Sequence, residues 1–177
     1  MGHALTARFV RVNFAGWSLP VQYTPSVIQS HLYTRSDASI FDVSHMLQIQ
    51  VKGVDRVRFF EKLVVADVES LPENSACLTL YTNERGGILD DLIVTKTSEG
   101  YLYVVSNAGR ATEDLAHLKT QLDKAQRQGL DVQIDVLDHQ ALLALQVTHV
   151  DGRITIDLRS HRVLDLLKSC RRTFRRR

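Results

Sequence analysis

The sequence predicts an α+β fold with a largely antiparallel sheet and packed helices. Three observations lead there: short segments alternate apolar and polar residues, one long segment has helical periodicity, and no regular strand–helix–strand repeat is visible. The 177 residues are 44% hydrophobic and 24% charged, which is typical of an ordinary globular domain. No stretch reaches the ~18 apolar residues of a membrane-spanning helix, so we expect no membrane association.

The positions of glycine and proline, together with the spacing of apolar residues, predict the first elements. Residues 13–20 are expected to form an ordered loop, because a glycine and a proline punctuate them and two large aromatic side chains can anchor them. Strict alternation over residues 47–52 predicts a strand with one buried face, ended by Gly53. The spacing of apolar residues from 54 to 64 then predicts a helix.

The middle of the chain predicts a meander of three antiparallel strands. Residues 76–82, 88–95 and 101–106 are rich in branched and aromatic side chains. The segments between them, 83–87 and 97–100, contain the Asn, Ser and Gly residues that favour tight turns. Consecutive strands joined by such short turns pair antiparallel.

A helix and two further strands are expected after the meander. The helix opens at Thr112 and Glu113, carries an apolar stripe through Leu118 and ends near Gly129. Residues 132–136 alternate and predict a strand, and the short apolar run 141–146 predicts another.

Two adjacent carboxylates, Asp90 and Asp91, interrupt the otherwise apolar strand 88–95. Neighbouring residues of a strand point to opposite faces, so at least one Asp must face the more enclosed side unless the strand is an exposed edge. A buried carboxylate needs either a hydrogen-bonding partner or a function. An Asp pair satisfied by the N–H groups of a nearby turn is an equally good interpretation from these residues alone.

On the next strand, Tyr103, Val105 and Asn107 are spaced by two and share a face. A phenol, a branched aliphatic group and a carboxamide on one face would suit a flat heteroaromatic ligand with polar edges. The alternative is an ordinary half-buried strand whose last residue enters a turn.

Other site classes have little support. Asp42, Ser44 and His45 are too close in sequence for a hydrolase triad, and we expect His45 to be structural and Met46 to be a wall residue of a core or pocket. No His or Cys pair has a metal-ligand spacing, so no metal site is expected. There is also no phosphate-binding loop, dinucleotide fingerprint or RNA-recognition aromatic pair.

Charge is distributed unevenly along the chain. Residues 1–146 have a net charge of −4, whereas residues 147–177 have a net charge of +6. The basic end is expected to be a solvated, disordered tail, and an arm that binds nucleic acid or an anionic membrane surface is the alternative. The acid-free, Arg-containing segment 1–12 is similar to the end of a mitochondrial transit peptide.

Five blocks of sequence, in this order, resemble the aminomethyltransferase (T-protein) family of the glycine cleavage system, its vertebrate mitochondrial form above all. The blocks are FAGWSLPVQY, SIFDVSHM, LTLYTNERGGILDDLIV, YLYVVSNAG and ALLALQ, and they run from about residue 13 to residue 146. The resemblance implies a basic N-terminal segment over 1–12, a partial folate-binding aminomethyltransferase domain over 13–146 and a divergent basic tail over 147–177.

The resemblance also implies an activity and a site. Members transfer the aminomethyl carbon carried by the lipoylated H-protein to tetrahydrofolate and release ammonia, in glycine catabolism in the mitochondrial matrix. The family's catalytic aspartate corresponds to Asp91. Its pterin-wall residues correspond to Met46, Leu78, Tyr103, Val105 and Asn107. Tetrahydrofolate acts as co-substrate, and neither a metal nor a nucleic acid is implied.

The family pattern stops after Gln146, where the family continues into a second half that residues 147–177 do not match. We therefore expect a truncated enzyme of weak or no activity. One alternative is an active enzyme whose site is closed by the tail or by self-association. Another is a non-catalytic folate-binding or regulatory module.

Overall fold

A computed structural model describes residues 9–24 and 26–147 of the chain. The described part is α+β with antiparallel sheets, which confirms the predicted fold class. Most of the basic segment predicted over 1–12, and the tail predicted over 147–177 apart from its first residue, lie outside the described residues.

The described residues form nine strands and three α-helices, besides one short 3₁₀ helix at Ala108–Arg110. In chain order the elements are β1 (Phe9–Phe14), β2 (Trp17–Tyr23), α1 (Val27–Ser36), β3 (Ala38–Asp42), β4 (Leu47–Lys52), α2 (Arg56–Phe60), β5 (Ser75–Thr82), β6 (Ile88–Lys96), β7 (Leu102–Ser106), α3 (Ala111–Arg127), β8 (Gln133–Val136) and β9 (Leu143–Val147). They separate into two compact units, of which the second spans residues 46–140.

The first unit opens with a hairpin where a loop was predicted. β1 and β2 pair antiparallel, with Phe14 opposite Trp17. Only Ala15 and Gly16 lie between them, with φ of +50° and +81°. Positive φ at both central residues gives the two-residue turn whose twist matches that of paired strands. The prediction of a loop over 13–20 was therefore wrong, because the aromatic residues flank a tight turn instead of anchoring a loop.

The same unit contains two elements that the sequence did not predict, α1 and β3. Ser26 begins α1 with a reciprocal cap: its hydroxyl accepts from the Gln29 N–H at 3.4 Å, and its own N–H donates to Gln29 Oε1 at 3.2 Å. β3 pairs antiparallel with β9, so the last predicted strand is confirmed close to its expected bounds, at 143–147.

The second unit contains a five-stranded sheet in the order β5-β6-β7-β4-β8, with all neighbours antiparallel. The predicted meander forms three consecutive members of it. One face of the sheet, which we call the inner face, is buried and includes Ile49, Val51, Val94 and Val104, each at most 1% exposed. This face, with the residues packed on it, forms the hydrophobic core of the unit.

The helix predicted over 54–64 is shorter than expected, since α2 covers only Arg56–Phe60. The chain then turns, and Val64 pairs with Tyr81 in an isolated bridge. Leu63 and Val64 are buried because this segment returns to the sheet, and not because a helix continues through them. The periodicity predicted the burial of Val64 correctly and its conformation wrongly, and it placed Val54, which is 82% exposed, on the apolar face.

The second long predicted helix is confirmed as α3. Leu118 and Ala125 on its apolar stripe join the core of the sheet's inner face. Gly129 follows the helix at φ +82°, a conformation that glycine adopts without the steric cost of a β-carbon. Asp114, in the first turn, is 2% exposed and stands among the few buried charged groups of the described residues.

Candidate functional site

The opposite side of the five-stranded sheet, which we call the outer face, carries an apolar row at its centre. Register places Leu78 opposite Ile93, and Ile93 opposite Val105, on three adjacent strands. Leu78 is 70% exposed and Ile93 46% exposed, whereas Val105 is half-buried. Exposed apolar side chains in cross-strand register form a continuous apolar surface.

Polar groups continue this row from β7 onto β4. Val105 pairs with Gln48, and Tyr103 pairs with Gln50, across β7 and β4. The Tyr103 hydroxyl donates to Gln48 Oε1 at 2.7 Å, and Gln48 Nε2 donates to the Gln140 carbonyl at 3.2 Å. Burial raises the pKa of Tyr103, so the phenol stays neutral. Its proton is committed to Gln48, which leaves the phenol oxygen able to accept a hydrogen bond.

Asp90 and Asp91 point to opposite faces, as their adjacency requires. Asp90 lies on the inner face and is 9% exposed, whereas Asp91 is exposed on the outer face. Asp91 pairs with Leu80 across β5 and β6. The sequence-based expectation that one of the two carboxylates is enclosed is met by Asp90.

Asn107, directly after β7, connects the two carboxylates. Its Nδ2 donates to Asp90 Oδ1 at 3.0 Å and to Asp91 Oδ1 at 2.9 Å, with the Asp91 carbonyl also within reach at 3.2 Å. Its backbone N–H donates to Asp90 Oδ2 at 3.3 Å. The pair is therefore satisfied chiefly by a residue of the neighbouring strand's end, and not by the N–H groups of the turn at 83–87.

A second group of polar residues lies below Asp90, on the inner face. Asp114 accepts a hydrogen bond from the Ser106 hydroxyl at 2.8 Å. Burial, together with the adjacent Asp90 carboxyl, raises the pKa of Asp114 to about 6, against the lowering effects of Ser106 and Arg110. Sequence reasoning missed Asp114, because an acidic residue in the first turn of a helix is ordinarily a solvated partner of the helix dipole.

Tyr81 and His117 complete this inner group, with ring centroids 6.1 Å apart. The Tyr81 hydroxyl and His117 Nε2 are buried and have no hydrogen-bond partner among the described residues. Burial raises the pKa of Tyr81, as do the charges of Asp114 and Asp90. Burial lowers the pKa of His117, aided by Lys124, so both side chains are neutral near pH 7.

The six residues that the resemblance implied as a site all belong to the second unit. Leu78, Asp91, Tyr103 and Val105 share the outer face, and Asn107 adjoins it at the end of β7. Met46 is half-buried and directly precedes β4, where the alternation of the strand places it on the side of Gln48. Reasoning from sequence did not find Gln48, although its alternation with buried residues was visible.

Asp42, Ser44 and His45 belong to the first unit and form a turn. The Ser44 N–H and hydroxyl donate to Asp42 Oδ1 at 3.0 and 2.6 Å, and the hydroxyl accepts from the Leu142 N–H at 2.9 Å. The His45 ring lies edge-on to Phe14 at 5.7 Å, and burial lowers its pKa although Asp42 opposes this. The serine hydroxyl is thus used in holding a turn.

The described residues contain neither a metal-ligand cluster nor a membrane-spanning helix. Within residues 9–24 and 26–147, no group of three or more His, Cys, Asp or Glu side chains is arranged to hold a metal ion. No helix in the described part of the chain has the length and apolar character needed to cross a membrane.

Comparison with known proteins gives concordant matches. The family described as the GCVT N-terminal domain matches residues 2–148. The mitochondrial aminomethyltransferases of Homo sapiens and Pisum sativum are 60% and 47% identical over 135 residues, which are 76% of this chain and 33% of each relative. The chain thus spans about a third of the length of the curated relatives that it matches.

A solved structure agrees with these matches. The crystal structure of the glycine cleavage system aminomethyltransferase T from Bartonella henselae superposes with a TM-score of 0.68 at 39% identity. The match covers 79% of this chain and 37% of that one. At this identity the likeness extends to sequence as well as to fold.

Proposed function

The chain belongs to the GCVT N-terminal domain family, and from this premise we propose that it is the pterin-binding part of an aminomethyltransferase of the glycine cleavage system. The proposed reaction moves a one-carbon unit from the aminomethyl-lipoyl arm of the H-protein to tetrahydrofolate and releases ammonia. We further propose that residues 13–146 constitute the partial folate-binding domain, between a basic segment over 1–12 and a divergent tail over 147–177. Relatives named as mitochondrial support a mitochondrial location.

One observation carries the proposal: the outer face presents an apolar row with a carboxylate and a carboxamide beside it, on the next row of the same face. Leu78, Ile93 and Val105 offer a surface on which a flat ring can lie. Asp91 and Asn107 stand one register row beyond, at 2.9 Å from each other. Such an edge supplies hydrogen-bond acceptors to the N–H groups of a pterin, whose own face is apolar.

The role proposed for Asp91 follows from its charge and exposure. The transfer forms bonds from the methylene carbon to N5 and N10 of the folate and breaks the bonds of that carbon to ammonia and to the lipoyl sulfur, which leaves as the thiol. When N5 attacks the carbon and ammonia leaves, positive charge develops on the folate nitrogen. A carboxylate held beside that nitrogen stabilises the charge and orients the ring. Asp91 is suited to this role because it is exposed on the face where the ligand would lie and is fixed by the Asn107 amide.

Tetrahydrofolate binding, measured by calorimetry on the wild type and on Asp91→Asn, tests the proposal. Asp91→Asn keeps the shape of the side chain and removes its charge, so we expect binding to weaken by roughly tenfold, in line with the loss of a charge-assisted hydrogen bond. The matched control is Asp123→Asn, which removes the same charge from an exposed position of α3 and should bind as the wild type does. Thermal unfolding of each variant shows that it is folded.

A transfer assay with aminomethylated H-protein then separates an enzyme from a binding module. Product formation that Asp91→Asn abolishes supports the aminomethyltransferase assignment. Binding without product formation would mean that this part binds folate but does not catalyse transfer by itself, which the alternative, a non-catalytic folate-binding or regulatory module, also predicts. A folded wild type that binds no tetrahydrofolate would refute both.

A further inference from the structure

We infer that Asp90 is a positioning residue that fixes the carboxamide of Asn107 and, through it, the carboxylate of Asp91. The inference deepens the proposed function, and its consequence for folate binding rests on that function. The arrangement itself depends on hydrogen bonds and burial alone. It assigns a role to the member of the Asp pair that does not reach the outer face.

The Asn107 carboxamide is held from the buried side. Asp90 accepts twice from this one residue, from the backbone N–H at Oδ2 and from Nδ2 at Oδ1. With the backbone and the side chain of Asn107 both tied to one carboxylate, the carboxamide has little rotational freedom. Because Asp90 is 9% exposed, water competes weakly for these bonds.

The orientation imposed on the carboxamide determines what Asn107 can offer. An amide nitrogen carries two hydrogens, and Asp90 Oδ1 and Asp91 Oδ1 are placed to accept one each. No hydrogen bond of the described residues reaches Asn107 Oδ1 from a donor. Asn107 and Asp91 therefore both present acceptors, and the pair would select a ligand edge that donates.

Asp90 in turn has few other sources of stabilisation. The titratable groups that face it are the Asp114 carboxyl from α3 and the Tyr81 hydroxyl from β5, while Arg110 and His117 stand next to those two groups. A second carboxyl and a phenol do not compensate a buried negative charge, and the Asp90 carboxyl raises the pKa of Asp114. The N–H donors of Asn107 thus stabilise the buried Asp90 carboxylate, and the same hydrogen bonds fix the orientation of the Asn107 carboxamide.

The first arm of the test measures the Asn107 amide directly, without ligand. Asp90→Asn retains one acceptor oxygen and replaces the other by an NH₂ group, so it cannot accept from both N–H groups of Asn107 in the observed geometry. We expect the Asn107 side-chain amide signals to shift in the ¹⁵N–¹H spectrum, and amide hydrogen exchange to accelerate roughly tenfold. Asp55→Asn is the control, since it removes a carboxylate that accepts the Asp131 N–H at 3.0 Å elsewhere in the unit. Unchanged Asn107 signals in folded Asp90→Asn would overturn the inference.

The second arm is a double-mutant cycle read by tetrahydrofolate binding. We expect Asp90→Asn to weaken binding roughly tenfold when Asn107 is present and by less than about twofold in an Asn107→Ala background. Equal losses in both backgrounds would show that Asp90 acts by general stability and would overturn the inference. If the wild type binds no folate, the proposed function fails while the first arm still decides the role of Asp90.

Discussion

Replacing Asp114 with Asn is expected to stabilise the protein at neutral pH and to have little effect at acid pH. The carboxyl is 2% exposed, accepts from Ser106 and lies beside Asp90, and its pKa is raised from 3.8 to about 6 by burial and by that neighbour. An Asn side chain can accept from Ser106 through its oxygen. The substitution therefore removes the ionisation and keeps this hydrogen bond.

The direction of this pH dependence of stability follows from proton linkage. An acid whose pKa is raised by folding binds its proton more tightly in the folded state, so its favourable contribution is complete below its unfolded pKa, near 3.8. That contribution is lost as the pH rises through about 6, where the buried group ionises. A rise of about 2 in pKa corresponds to at most about 3 kcal/mol of unfolding free energy.

Urea unfolding of the wild type and of Asp114→Asn, over a pH series from about 4 to about 8, measures the effect. The free-energy difference between the two proteins should grow with pH to between about 1 and 3 kcal/mol and level off above about pH 7. Asp67→Asn is the control: hydrogen bonds from Ser70 lower the Asp67 pKa, so its contribution changes only at pH values below its ordinary range. A difference for Asp114→Asn that is the same at every pH would refute the reasoning.

Three other substitutions test the packing of the second unit. Gly53→Ala should lower the free energy of unfolding in urea by about 2 kcal/mol or more, because φ is +103° and a β-carbon would collide with the Asp131 carbonyl. A urea midpoint equal to that of the wild type would contradict this. Phe60→Ala should lower the free energy of unfolding by about 3–5 kcal/mol, since removing its fully buried ring leaves a cavity. A loss below about 1 kcal/mol in the same assay would contradict this, because it would mean that neighbouring side chains fill the cavity. Tyr81→Phe should leave the free energy of unfolding unchanged or raise it by up to about 1 kcal/mol, because it removes a buried hydroxyl that has no hydrogen-bond partner within residues 9–24 and 26–147; a clear loss of stability in calorimetry would reveal a hydrogen bond to that hydroxyl.

The meander and α3 could be predicted from sequence because their signals are local. In residues 76–106 the period of two and the glycine-containing turns act together, and the Asn83 side chain indeed accepts from the N–H groups of Arg85 and Gly87. In α3 the apolar stripe has the helical period. The faces of Tyr103 and Val105 followed from the same alternation.

Other elements gave no local signal. None of the residues of α1 is buried, so no apolar stripe marks it as a helix, and its capping box at Ser26 lies in an otherwise undistinguished segment. β3 depends on β9, with Ala38 opposite Val147, which no local pattern specifies. The hairpin of β1 and β2 was hidden by Ala15, a residue that seldom adopts positive φ.

The polar residues of the candidate site were likewise only partly predictable from sequence. The sequence required one Asp of the pair to be enclosed, but its partner could not be deduced. Asn107 connects Asp90 and Asp91 only because β7 lies beside β6, and Asp114 meets Asp90 only because α3 crosses the inner face. Such contacts arise from tertiary packing, and the periodicity of a single strand does not predict them.

The strand order of the second unit also has a consequence for the rate at which the protein folds. β5, β6 and β7 are neighbours both in sequence and in the sheet, so they can assemble by closing short loops. β4 is inserted between β7 and β8, and its pairing joins residues as distant in the chain as Leu47 and Ser106. Closing that long loop is slow and gives no contacts until it is complete, so the insertion of β4 should limit the folding rate. In pulsed hydrogen exchange the β5–β6–β7 amides would then become protected first, and those of β4 and β8 together afterwards.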